Sequence, residues 1–226
     1  LPAFTGSYEL GYTHILKKGT TMTANVYFRD RSNLITWYSE VDSNGVNLTT
    51  FQNLNSGEDV GLDMNFRGRL GKKGGFFTLG GNYFYSQVSG DIKGQGWINQ
   101  GGGYGLNTMV STPLWKDASL QIMGNYRSRR VLAQGFGRPF YFIGGGFKQG
   151  FMNDRLNLSV NCRDIFNTMG WNYETRGPNF YSEGQFRWMN RVVEVGLTYN
   201  FGEVQRRRRQ MDRGGRGGGG MEMEMF

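Results

Sequence analysis

Three architectures are excluded by what this chain lacks. Cys162 is its one cysteine, so no internal disulfide can form, and a lone cysteine packs as a small hydrophobe. His14 is its one histidine, so a His/Cys metal site cannot be assembled, and no Ser/His/Asp set has a spacing signal around it. No apolar run approaches the roughly 18 residues that a membrane-spanning helix needs. No charged start followed by an apolar run stands near Leu1, so no leader is read there, and the chain is expected to be a piece of a larger protein. The carboxylates Asp63, Asp164 and Glu194 are isolated on separate segments. GQGWINQGGGYG, Gly94 to Gly105, has glycines without the strand-to-helix setting of a phosphate cradle. No enzyme, cofactor or metal is expected.

What the chain does have is glycine and aromatic residues, 37 Gly and 15% aromatic, with a mean hydropathy of -0.53. A membrane barrel tolerates low mean hydropathy, because only every second residue of its strands meets lipid. The stretch that orders the reading is RVVEVGLTYNF, Arg191 to Phe201. Side chains alternate along a strand, so Val193, Val195, Leu197, Tyr199 and Phe201 share one side and Glu194, Gly196, Thr198 and Asn200 the other. Only Val192 spoils the polar side. Such a strand belongs to a soluble sandwich or to a membrane barrel.

Read with period two, residues 1–201 divide into about nine strands. The first alternates Tyr8, Leu10 and Tyr12 with Glu9, Gly11 and Thr13. The second sets Met22, Ala24, Val26 and Phe28 against Thr23, Asn25, Tyr27 and Arg29 and runs on past Ile35 to a turn at Asp42–Gly45. The third and fourth alternate over Val60–Arg69 and Phe77–Ser86. The fifth and sixth lie on either side of Lys116–Asp117, the sixth placing Asn125, Arg127 and Arg129 on its polar side. The seventh, Phe140 to Phe151, is apolar on both sides and its facing is left open. The eighth sets Leu156, Leu158, Val160 and Cys162 against Asn157, Ser159, Asn161 and Arg163.

Short turns at Lys17, Gly71, Lys116 and Met152 alternate with mostly longer connections around residues 90–100, 134–138 and 167–181. Short turns at one end and long loops at the other describe an outer-membrane barrel. The polar side also collects Arg29, Arg67, Arg69, Arg127, Arg129 and Arg163. Between two packed sheets each unpaired arginine would cost several kcal/mol, so the apolar side is the covered one, and lipid is the cover. The expected fold is therefore all-β, an antiparallel transmembrane β-barrel. Arg67, Arg69, Arg127, Arg129 and Arg163 are expected to face its lumen. The loops at 90–100 and 168–181, with Trp97, Trp171 and Tyr173, are expected to lie outside the cell and to touch a ligand by ring stacking.

RLNLSVNCRDIFNT (Arg155 to Thr168) and RVVEVGLTYNFG at the end resemble the C-terminal strands of TonB-dependent outer-membrane receptors, in the outer-membrane β-barrel family typical of Bacteroidota. ELGYTH, YFRDRSNLI and LNSGEDVGLDMNF fit the same pattern. The resemblance implies a whole barrel of about 22 strands closed by an N-terminal plug with a TonB-binding segment. Residues 1–201 would supply its last nine or so strands, with the four tight turns in the periplasm. It implies import of a bulky scarce ligand, such as a siderophore, cobalamin, an oligosaccharide or a peptide; a passive or structural barrel is the alternative. The partners it implies are outer-membrane lipid, the barrel-assembly machinery, the TonB complex and a surface lipoprotein. Glu194, Gly196, Tyr199 and Phe201 match the spacing read by the assembly machinery.

The net charge of +8 points at first to nucleic acid, but much of the visible clustering of basic residues lies in residues 202–226. There Arg206–Arg209, Arg213 and Arg216 stand among glycines. The segment is expected to be a disordered periplasmic tail, and nucleic acid is not an expected partner.

Overall fold

A computed structural model describes residues 1–16, 19–72, 74–92, 95–177, 180–187 and 191–201. The expectations for the 202–226 tail and for Lys17 at the first turn lie outside the described residues. Alternating side chains and turns rich in glycine, Asn and Asp give β1 (Phe4–Ile15), β2 (Thr21–Val41), β3 (Asn47–Leu70), β4 (Gly75–Ile92), β5 (Gln95–Pro113) and β6 (Ala118–Arg127). Next come β7 (Arg130–Leu132), β8 (Gly135–Gly137), β9 (Phe140–Phe151), β10 (Leu156–Arg163), β11 (Trp171–Gly177), β12 (Phe180–Phe186) and β13 (Val192–Tyr199).

Nine of these form one sheet in the order β1-β2-β3-β4-β5-β6-β9-β10-β13, and β7, β8, β11 and β12 form a second sheet of four. Each neighbouring pair in the large sheet is antiparallel. The sheet is open, with β1 and β13 as its edges. Tight connections gather at one end. Asp117 has a φ of 58°, and Met152, Asn153 and Asp154 have φ of 54°, 57° and 68°, a left-handed backbone that Asn and Asp tolerate best among side chains with a Cβ. At the other end Asp42 closes the β2–β3 turn, its Oδ1 accepting the amides of Asn44 and Val46 at 2.9 and 2.8 Å.

Among the described residues nothing packs over the apolar side of the large sheet: Leu10 is 79% exposed and Leu197 69%. Its upper limit is visible in the register. One outward row runs Tyr8–Phe28–Val60–Tyr85 across β1 to β4. The next outward row, one step further from the tight turns, runs Gly6–Asp30–Glu58–Gln87–Gln100. Apolar and aromatic side chains give way to carboxylates and amides within a single step, which is how a lipid-facing belt ends at its aromatic girdle. A span takes roughly 9–11 residues. β6, β9 and β10, with 10, 12 and 8 residues, are about that long. β2 to β5, with 21, 24, 18 and 19, run well past the belt and form a wall above it.

Several sequence expectations need adjusting. The last strand stops at Tyr199 rather than Phe201, and Phe201 lies beyond it, 89% exposed. β6 ends at Arg127, so Arg129 is not on that strand. Residues 90–100 are not a loop, because β4 and β5 stay paired from Gly90↔Trp97 to Ile92↔Gln95. The region 171–186 is a hairpin, β11 with β12. The facing of β9 follows from its register: Tyr141 sits opposite Tyr126 on the apolar side, while Phe140, on the other side, lies under the Arg127 guanidinium.

Candidate functional site

The small sheet is a cap on the polar side of the wall. Its strands leave the ends of β6 and β10 remote from the tight turns and fold back over β2, β4 and β5. Its anchor is the β7–β8 turn. There the Gln134 carboxamide pairs with the backbone of Ser39 in β2, accepting its amide at 2.7 Å and donating to its carbonyl at 2.9 Å. From β5, Asn99 donates to the carbonyls of Leu132 and Gly135, both at 2.8 Å. Val88 and Ala133 are buried between these bonds, with Leu34, Trp97 and Val131 packed around them. The cap is thus held by side-chain amides reading backbone on two strands, around a small apolar centre.

Between cap and wall lies a cavity of about 1140 Å³. Its floor is two adjacent cross-strand rows, Asn25–Asp63–Asn82–Gly105–Arg127 and Thr23–Asn65–Gly80–Asn107–Asn125. The glycines explain how the amides fit. A Cβ on Gly80 would collide with the Asn107 carboxamide, and one on Gly105 with that of Asn82, so each amide lies flat over its glycine. Every carboxamide offers both donors and acceptors.

The charged groups are arranged unevenly. Arg31 pairs with Asp59 at 2.7 Å, and Ser86 donates to the same carboxylate at 2.5 Å. Arg127 and Arg130 also line the cavity. Their contacts are with rings, Arg127 over Phe140 at 5.5 Å and Arg130 over Trp171 at 5.1 Å. Burial, reinforced by the Arg127 charge, holds the Arg130 pKa below its ordinary value.

The residues singled out from sequence divide between wall and cap. Arg67 and Arg69 continue the side of Asp63 and Asn65 toward the tight-turn end and are exposed. Arg163 stands at the upper end of β10, opposite Val192, on the side of Ser159 and Asn161. Arg129 belongs to the link into the cap, stacked on the Phe136 ring at 3.3 Å. Trp97 packs under the cap and is not a loop residue. Trp171 and Tyr173 are strand residues of β11 with ring centroids 5.9 Å apart, and both line the cavity.

On β13, Glu194 pairs with Asn161 and Gly196 with Ser159. Tyr199 meets Phe201 edge-on at 4.7 Å on the exposed apolar side. Asp164, isolated in sequence, is 2% exposed. Its carboxylate accepts the Thr168 amide at 3.0 Å and the Met169 amide at 2.7 Å, and Asn167 accepts the Arg191 amide at 3.1 Å. These two side chains fix where the chain leaves β10 and where it enters β13.

At the outer edge of the cap, Glu174 and Glu183 stand directly opposite each other on β11 and β12, an arrangement that repels unless a cation intervenes. Arg138 pairs with both. The Tyr181 hydroxyl donates to Glu183, and this bond, working against burial and aided by Arg138, holds the Glu183 carboxyl below its ordinary value.

Sequence reading missed Gln134, Asn99, Arg130 and the two asparagine rows. The rows had a signal, an Asn or Gly at matching depth on the four successive strands β3 to β6 (Asn65, Gly80, Asn107 and Asn125), but it appears only once the register is known. Among the described residues no group of three or more His, Cys, Asp or Glu is placed to hold a metal ion. A family model described as an outer membrane protein beta-barrel family matches residues 1–199. Neither the curated proteins nor the solved structures contain a match to the chain.

Proposed function

We propose, from the premise that this chain belongs to the outer membrane protein β-barrel family, that it forms the wall and cap of an energy-coupled import receptor. Family membership puts the protein in the outer membrane. The observation that carries the functional reading is the capped cavity. A passive pore serves best with an open bore, whereas here a folded sheet is bonded across the polar side and leaves a chamber of about 1140 Å³ lined with recognition groups. Binding energy spent in such a chamber holds a scarce ligand but also retains it, so release inward needs work from outside the barrel.

In this reading the wall belongs to a closed barrel of about 22 strands, an N-terminal plug fills the lumen, and the TonB complex acts on that plug. The arginines of the polar side, Arg67 and Arg69 foremost, face plug carboxylates. A surface lipoprotein covers the mouth, and the barrel-assembly machinery inserts the chain through Glu194, Gly196, Tyr199 and Phe201. The test is accumulation of ligand by cells with and without the proton gradient. Gradient-dependent uptake that stops when the TonB-binding segment is deleted is the expected result. Uptake that follows external concentration alone, unaffected by the deletion, would make the protein a passive barrel.

A further inference from the structure

We infer that the cavity is a binding site for an acidic oligosaccharide, with Arg127 and Arg130 receiving its anionic group, Trp171 stacking on a sugar ring, and Asn82, Asn107 and Asn125 taking its hydroxyls. The inference rests on the reading of the cavity as a receptor's ligand chamber. Three observations carry it.

First, two guanidiniums line one chamber without an ion pair between either of them and a carboxylate among the described residues, while the neighbouring Arg31 has Asp59 at 2.7 Å. Among the described residues their side-chain partners are rings, and a ring face satisfies charge but none of the five N–H donors of an arginine. The two cations also repel each other, and that repulsion adds to burial in lowering the Arg130 pKa. An anion that bridges them removes the repulsion and gains charge-assisted hydrogen bonds.

Second, the floor beside the arginines is mainly amide, and its Asp63 carboxylate stands on β3, three strands from Arg127. Asn82, Asn107 and Asn125 reach the same chamber from three successive strands. A carboxamide both donates and accepts, which matches a hydroxyl that also does both. A purely anionic small molecule would leave these groups unused, and an apolar ligand would leave them unpaired, which costs binding free energy.

Third, the flat surface is in the right place. Trp171 lines the chamber beside Arg130 and Tyr173, so a ring stacked there is within reach of the guanidinium. A chamber of about 1140 Å³ lies slightly above the ~300–1,000 Å³ common for small-molecule sites, which suits several linked sugars better than one.

The experiment uses the protein purified from outer membranes in detergent, titrated calorimetrically with uronate trisaccharides of α and β linkage. Each is paired with its methyl ester, which keeps the sugar skeleton and removes the charge. At least one uronate is expected to bind about tenfold or more tighter than its ester, with the difference shrinking at high salt. Arg130→Gln should abolish most of that difference, and Asn107→Ala should weaken acid and ester alike. Inorganic phosphate should not compete at matched concentration.

Equal binding of acid and ester, an Arg130→Gln variant with normal cap structure and unchanged preference, or no binding at millimolar uronate would each overturn the inference. Phosphate binding as tightly as the best uronate would overturn it in favour of a simple anion site. Failure of the import reading shows differently. Uronate binding with the expected preference, but no gradient-dependent uptake, would sink the receptor and leave this site standing.

Discussion

Replacing Gln134 by alanine should loosen the cap while leaving the wall intact. The Gln134 side chain makes two hydrogen bonds to one backbone unit, at 2.7 and 2.9 Å to Ser39, across 95 residues of chain. A net value of about 0.5–1.5 kcal/mol per bond gives about 1–3 kcal/mol for the pair. At about 1.4 kcal/mol per factor of ten, the population of the opened cap should rise about 5- to 150-fold. The Asn99 bonds and the Val88–Ala133 centre remain, so the cap should open more often without being lost. Hydrogen exchange read by mass spectrometry on the protein in detergent is the assay. Amides of β7, β8 and β11 should exchange faster by that factor, and those of the β3–β4 pairing should not change. Gln134→Glu is the companion: it keeps the acceptor for the Ser39 amide but sets a carboxylate against the Ser39 carbonyl, so it should open the cap at least as much as alanine. Unchanged exchange in the cap, or a rise shared equally by β3 and β4, would refute the idea that this amide pair is the cap's anchor.

Three further outcomes are expected. Leu62→Arg, on the apolar side within the belt, should cost about 2–4 kcal/mol in lipid, whereas Glu58→Arg, one row above the girdle, should cost about 0–1 kcal/mol; urea unfolding in bilayers measures both, and equal costs would misplace the belt's upper edge. Phe201→Leu should barely alter unfolding, because Phe201 is 89% exposed beyond the end of its strand. If the residue serves the assembly machinery, the level of folded protein in the outer membrane should nonetheless fall, while Phe66→Leu and Phe77→Leu are inserted normally; equal levels of all three would remove that role. The cap edge should loosen in acid: a carboxyl with a lowered pKa, Glu183, stabilises above the ordinary value of about 4.3 and loses that contribution as pH falls through its lowered one. Tyr181→Phe should shift the loosening of β12, followed by exchange at a series of pH values, to higher pH, and an unshifted profile would count against the hydrogen bond.

The wall was legible in the sequence because its rule is local. Period-two alternation needs no knowledge of neighbours, so the segments around Val26, Leu62, Leu106 and Val195 could be placed on strands and sorted into an apolar and a polar side. The cap was illegible for the opposite reason. β7 and β8 have three residues each, too few to show a period, and what holds them, the β11 ladder and the Asn99 bonds from β5, comes from far away in the chain. Residues 90–100 misled because glycine and asparagine signal a turn in isolation, yet Gly90, Gly96 and Asn99 are paired strand residues here. Trp97 and Trp171 looked alike as aromatics outside the regular strands; the fold makes one of them packing and the other part of a chamber wall. Asp164 had no charged sequence partner because what it binds is two backbone amides and the Thr168 hydroxyl.

The two anchors of the cap have a geometrical consequence for the sheet itself. Ser39 lies on β2 and Asn99 on β5, and they stand at different heights: the row of Asn99 runs through Val88 and Gly57 to Arg31, eight residues before Ser39 on β2. The β7–β8 turn therefore joins the two strands on a diagonal. A diagonal brace resists shear, because neither strand can slide lengthwise past the other without stretching it. Below the girdle, lipid and neighbouring strands hold the wall in register; above it, where the wall stands in water, two asparagine bonds and two glutamine bonds brace it as well.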